Sequence, residues 1–133
     1  MEGALALGQT LQQHHILPSI AHTDAIYEEV EKAFTAGYTH VTHLYSAMSS
    51  VTRKNAFRYA GVVEAAYLIE DMTVEIIADG IHLPKPLLQF VYKFKGGNLT
   101  AVFCDTGWEH PDTYKHVNDV CLQMGVSHNE DHG

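Results

Sequence analysis

His22, His43, Asp79, His82 and Asp105 each follow a short apolar or β-branched stretch, and together they carry the groups that metal-assisted hydrolysis uses. Two neutral imidazoles with a carboxylate form a partial zinc shell that leaves a position open for water. A further carboxylate beside that water can take its proton as general base and return it to a leaving group. Asp105, directly after the apolar run Leu99–Cys104, is the best-placed base. Each residue also has a plainer reading: a histidine as a hydrogen-bonded rim residue, Asp79 as a turn or helix cap, Asp105 as a cap or solvated carboxylate. Asp79 is left out of the catalytic set for that reason. The argument rests on the coincidence of these residues at successive strand ends, not on any one of them.

The elements that would deliver them alternate between strand and helix. Ala4–Gln13 reads as a helix tail, and residues 15–20 as a short strand in which Pro18 is awkward inside a ladder. Asp24 is placed to cap the next helix, whose apolar positions Ile26, Val30, Ala33 and Phe34 repeat at helical spacing before Gly37. Residues 38–45 form a β-branched and aromatic strand, in which His40 and His43 point to opposite faces unless a bulge intervenes. Residues 46–59 read as a polar, basic loop with Arg53, Lys54 and Arg58, and residues 61–69 as a short helix. Thr73–Ala78 is a strand, and Pro84 opens a helix ending near Lys93, Lys95 and Gly96. This β/α order predicts a parallel sheet, whose strand-end loops all open on one rim.

With 133 residues and 46% hydrophobic content, the chain can bury one modest core, short of the roughly 250 residues of a whole eight-stranded α/β barrel. Its formal charge of -8 argues against nonspecific contact with nucleic acid or anionic membrane, but a local basic pocket can still hold an anionic substrate. No apolar run approaches about 18 residues and no secretory pattern opens the chain, so the expected setting is the cytoplasm. Cys104 and Cys121 lack metal or redox spacing and are read as buried thiols. Residues 113–124 form a candidate helix. His128 and His132, four apart, lack the glutamate of a zinc-protease helix and fall in a polar tail.

Three segments carry a specific resemblance: IAHTDAIYEE at Ile20–Glu29, THVTHLYSAM at Thr39–Met48 and IIADGIH at Ile76–His82. Together they resemble successive signatures of the N-acetylglucosamine-6-phosphate deacetylases of the amidohydrolase superfamily, over about Gln9 to Asp105. The resemblance implies a partial (β/α)8 TIM barrel, an α/β fold of about four C-terminal β/α units with a parallel sheet. The barrel portion would span residues 1–105, with a divergent helix and polar tail over 106–133. It also implies that His22 and His43 are metal ligands after the fifth and sixth barrel strands, with zinc the divalent metal expected. By the same resemblance His82 contacts the substrate, Asp105 is the catalytic aspartate, and Ser46 and Ala47 occupy a substrate-binding pair that is commonly Asn-Ala. Arg58 takes the position of an arginine that binds the sugar phosphate, a role suited to paired, charge-assisted bonds.

The implied reaction is hydrolysis of N-acetylglucosamine 6-phosphate to glucosamine 6-phosphate and acetate. A homo-oligomer, or the missing barrel portion, is the implied protein partner. The family's glutamate ligand belongs after a third strand that precedes this stretch, so the chain reads as a truncated deacetylase. After Asp105 the family's small-residue loop gives way to Thr106, Gly107, Trp108 and Glu109. A noncatalytic remnant that oligomerises, or that binds a sugar phosphate without turnover, is the alternative expectation.

Overall fold

A computed structural model describes residues 3–102 and 111–124. The first helix, α1 (Ala4–Gln13), leads into strand β1 (Ser19–Ile20), helix α2 (Tyr27–Thr35) and strand β2 (His40–Val41). A hairpin of β3 (Thr52–Lys54) and β4 (Phe57–Tyr59) precedes helix α3 (Val62–Leu68) and strand β5 (Thr73–Ile77). Helix α4 (Lys85–Lys95), a single 3-10 turn, strand β6 (Leu99–Val102) and helix α5 (Pro111–Met124) follow. The α/β class and parallel sheet expected from the sequence are present: β1, β2, β5 and β6 lie side by side in that order, every pair parallel.

Strand periodicity divides the sheet into two unlike faces. On one, Ile20, Val41, Val74 and Ile76 are buried with Val30 of α2, Val62, Ala65 and Ala66 of α3, and Leu88 and Val91 of α4. Val120 of α5 joins the same core. The other face is polar and half-buried, with Ser19, His40 and Thr73 in one register row. Hydroxyl and imidazole groups bond along it, Ser19 Oγ lying 2.6 Å from Thr42 Oγ1 and His40 Nδ1 lying 2.7 Å from Thr73 Oγ1. α1 is fastened by the Tyr38 hydroxyl, which donates to the Ala4 carbonyl at 2.9 Å. Gly8 permits that approach, because a Cβ there would run into the Tyr38 ring and sit 2.7 Å from the Ala36 carbonyl oxygen.

The strands predicted over 15–20 and 38–45 are shorter than expected. Ladder pairing at the start of the first is confined to Ser19 and Ile20, since Pro18 has no N–H and His15 lies in the left-handed region at φ 57°. The second ends at Val41, because His43 at φ 36° turns the chain away from the sheet. The segment 46–59, expected as loop, contains a two-residue hairpin. Asn55 and Ala56 both take positive φ, as a type I′ hairpin turn requires. Ala56 stands where glycine is the usual signal, which hides the turn from sequence inspection.

Asp24 is not the N-cap expected for α2. That place is held by Ile26, whose N–H donates to the Glu29 carboxylate at 3.0 Å. Lys95, expected to complement its own helix end, reaches across to α3. Its Nζ is buried and donates to the carbonyls of Ile69 and Glu70 at 2.9 and 3.0 Å, closing the carboxyl end of that helix. Burial pushes the Lys95 ammonium below its ordinary range, against the opposing pull of Asp71 and Glu70.

Candidate functional site

The loops after β1 and β2 bring His22 and His43 face to face. Their rings stack with centroids 4.5 Å apart and planes 21° from parallel. Both residues take left-handed backbone conformations, His22 at φ 44° and His43 at φ 36°, and Tyr45 and Ala47 do the same two and four residues further on. Each such non-glycine position costs on the order of 1–3 kcal/mol, so the concentration of four on one rim requires a compensating framework.

Hydrogen bonds supply that framework. The His43 N–H donates to the Glu75 carboxylate at 3.3 Å, and the Leu44 N–H to the Glu75 carbonyl at 2.7 Å. Ser49 ties the two loops to α3: its N–H donates to the Thr23 carbonyl, its hydroxyl donates to the Ala25 carbonyl, and its Oγ accepts from the Val62 N–H. Glu64 closes the start of α3 by accepting from the Gly61 N–H at 2.7 Å and the Ser50 hydroxyl at 2.5 Å. Burial pushes its carboxyl up, but those bonds together hold it below its ordinary range.

One atom in this framework has no partner: His43 Nδ1 is buried and makes no hydrogen bond. A buried polar nitrogen left unpaired costs about 1–3 kcal/mol, the kind of orphan that an incoming ligand relieves. Two imidazoles can supply at most two of the four ligands of a zinc shell. Among the described residues, no group of three or more His, Cys, Asp or Glu converges on one point.

His22 and Ala47 line an open depression of about 630 Å³ together with Thr23, Asp24, Tyr45, Met48 and Ser49. That volume suits a small ligand. Ser46 is not among its lining residues; its N–H donates to the His43 carbonyl at 3.0 Å. A second cavity of about 420 Å³ lies between α3 and α4, where Tyr67, Phe90 and Phe94 pack edge to face. Among the described residues, Glu64 is its one carboxylate and no histidine lines it.

The loop after β5 holds the other candidate histidine. Asp79 Oδ1 accepts the N–H groups of Ile81 and His82 at 2.8 and 2.9 Å, and Oδ2 lies 2.7 Å from His82 Nδ1. Burial raises the Asp79 carboxyl, but the two backbone donors and the ring together hold it below its ordinary range. Gly80 turns at φ 78°, and a Cβ there would meet the His116 ring of α5 at 2.8 Å.

The structure therefore places His22 and Ala47 at one depression, stacks His43 against His22 outside that cavity's lining, and leaves His82 exposed on the next loop. Arg58 stands exposed on the hairpin in register with Arg53, lining neither cavity. Asp105 and Cys104 lie outside the described residues, as do His128 and His132. Sequence reasoning passed over Ser49, Glu75 and His116. The first two were hidden because their roles are long-range bonds. His116 Nε2 is buried without a partner, and the only sequence signal for it was its place on an amphipathic helix.

No protein-family model matches the sequence. The chain is 32% identical over 101 residues to the N-acetylglucosamine-6-phosphate deacetylase of Lysinibacillus sphaericus, a match covering 76% of this chain and 25% of that protein. Among solved structures, the N-acetyl-D-glucosamine-6-phosphate deacetylase of Mycobacterium smegmatis superposes over 81% of this chain with a TM-score of 0.71 and 28% identity. Its relatives include N-acetylglucosamine-6-phosphate deacetylases. The chain spans about a quarter of the length of the curated deacetylases it matches, and 29% of the Mycobacterium deacetylase chain. An N-acetylgalactosamine-6-phosphate deacetylase from Shewanella is 42% identical over 65 residues, covering 49% of this chain and 16% of that protein. Among the described residues no helix is long and apolar enough to cross a membrane.

Proposed function

We propose that this chain forms the later-strand sector of a cytoplasmic amino-sugar deacetylase, which hydrolyses N-acetylglucosamine 6-phosphate to glucosamine 6-phosphate and acetate. The observation that carries the proposal is the stacked His22–His43 pair, with one buried His43 nitrogen unpaired, whose His22 member lines a depression sized for a small ligand. His22 and His43 would hold a divalent cation, with zinc the metal their chemistry favours and a further ligand coming from outside the described residues. Bound there, the cation supplies polarisation of the amide carbonyl and eases deprotonation of a water.

The remaining work belongs to side chains. Asp105 takes the proton of the attacking water as its oxygen bonds to the acetyl carbon, then delivers that proton to the nitrogen as the C–N bond breaks. Acetate and the free amine leave. His82 orients the sugar or steadies the developing oxyanion, Ser46 and Ala47 line the sugar's seat, and Arg58 meets the phosphate with its forked donors. Arg58 is carried by an exposed hairpin, so this role requires the hairpin to face the substrate in the assembled enzyme.

A second reading is a noncatalytic chain that self-associates or only binds a sugar phosphate. It is favoured by the sheet itself, which ends among the described residues at β1 and β6 with nothing paired beyond them. Zinc titration and acetate release separate the two readings. Zinc retention that depends on both His22 and His43, with acetate released from N-acetylglucosamine 6-phosphate when the rest of a barrel is supplied, supports the enzyme. Self-association without zinc retention, or sugar-phosphate binding without acetate release in that assembly, supports the alternative. Faster release from the galactosamine epimer would move the substrate assignment to the Shewanella type of deacetylase.

A further inference from the structure

We propose that Asp79 is a positioning residue for the reaction, fixing the proton of His82 on Nδ1 so that Nε2 is the atom presented to the sugar. The inference rests on the reading above that His82 faces the substrate, and it assigns a role to a carboxylate otherwise explained as a turn cap.

Both of its oxygens are engaged, and in different ways. Oδ1 accepts two backbone N–H groups of its own loop, at 2.8 Å from Ile81 and 2.9 Å from His82. This half of the carboxylate is an ordinary turn cap, and an asparagine could replace it. Oδ2 is spent on the His82 ring, 2.7 Å from Nδ1. An ionised carboxylate can only accept, so the ring nitrogen facing it must carry the hydrogen. In the neutral imidazole that leaves Nε2 with its lone pair free.

Burial gives the pair a direction. The Asp79 side chain is 18% exposed and the His82 side chain 50%, so the carboxylate is the inner member and the ring stands outward into the rim. The turn is held from the far side, because His116 of α5 packs against Gly80 where a Cβ has no room. A neutral His82 fixed this way accepts a hydrogen from a sugar hydroxyl through Nε2. When protonated it donates through the same atom to a developing oxyanion while Asp79 balances the charge. A ring free to exchange tautomers would offer Nε2 as a donor part of the time and lose the hydroxyl contact.

The test is Asp79→Asn in the full 133-residue chain, read by the nitrogen chemical shifts of the His82 ring, with His82→Gln identifying its signals among the ten histidines. Asparagine keeps an oxygen for the two backbone donors but turns an NH2 toward Nδ1, so the tautomer should invert, with Nε2 becoming protonated. In the assembled enzyme, the same variant should lower kcat by about 10–100-fold, the usual cost of losing a partner that orients a site histidine, with bound metal unchanged. An Nε2–H ring in the unaltered chain, an unchanged tautomer in Asp79→Asn, or undiminished kcat in that variant would each overturn the proposal. The first of these needs no variant to fold. Should the tautomer behave as stated while the unaltered assembly releases no acetate, Asp79 still positions His82 and the deacetylase reading alone fails.

Discussion

The His22–His43 pair and the Asp79–His82 pair stand at the ends of neighbouring strands of one sheet, yet they are built in opposite ways. At the first, two left-handed histidines are pressed ring to ring and one buried nitrogen is left without a partner. At the second, the turn residue with positive φ is a glycine, and the ring nitrogen nearest the backbone faces a carboxylate. The first arrangement carries strain that something bound can relieve. The second is complete in itself and leaves only its outer edge to interact. A rim that binds a cation at one station and orients an organic substrate at the next would be divided in this way.

Deleting one ring from each pair probes that division with the largest expected effect. His43→Ala should reduce zinc retention after dialysis by more than the roughly 10–100-fold that losing an outer partner costs, while His82→Ala leaves it within about twofold. Elemental analysis of the dialysed proteins reads both. Equal losses in the two variants would erase the distinction.

Gly80→Ala acts on the second station through the backbone. The residue sits at φ 78° and its Cβ would press on the His116 ring, so a loss of about 1–3 kcal/mol in denaturant unfolding is expected. The alanine should also release the Asp79–His82 geometry without touching zinc retention at the first station. A variant as stable as the parent would mean that α5 does not brace this turn.

Much of this was legible in the residues. The β/α alternation, the parallel sheet and the placement of His22, His43 and His82 in loops that follow strands are legible from periodicity and residue type. What was hidden depends on dihedral angles and on partners far away in sequence. The strands predicted over 15–20 and 38–45 are cut short at His15, Pro18 and His43, where positive φ or a missing donor overrides β propensity. The hairpin around Asn55 and Ala56 was missed because alanine is a poor signal for a left-handed turn. Lys95 looked like a helix-end charge until its reach to the Ile69 and Glu70 carbonyls was visible. Asp79 looked like a cap and is one, but a sequence does not reveal that its second oxygen meets a ring.

Arg58 tests whether the rim extends to the hairpin. In the assembled enzyme, Arg58→Ala should weaken phosphorylated-sugar binding by roughly tenfold or more, as expected for losing a charge-assisted bond, with zinc content unchanged. Stability should move by less than about 0.5 kcal/mol, since the side chain is exposed. Equal use of phosphorylated and unphosphorylated sugars by the unaltered enzyme would remove the phosphate role.

The smallest expected effect is an acid limb that separates the two stations. Asp79 is held below its ordinary range in the fold, so its contribution to stability is fully present above the unfolded value near about pH 4 and is lost as pH falls through the lower folded value. Asp79→Asn cannot titrate there, so its stability should fall less steeply over that window than the parent's. Glu64, also held low, supplies part of the same limb in both proteins. The variant's limb should therefore be shallower, not flat, and Glu64→Gln added to it should flatten it further. Urea unfolding at a series of pH values measures all three. Parallel limbs in parent and Asp79→Asn would show that the carboxylate gains nothing from its bonds to Ile81, His82 and the ring, and the second station would then be no more closed than the first.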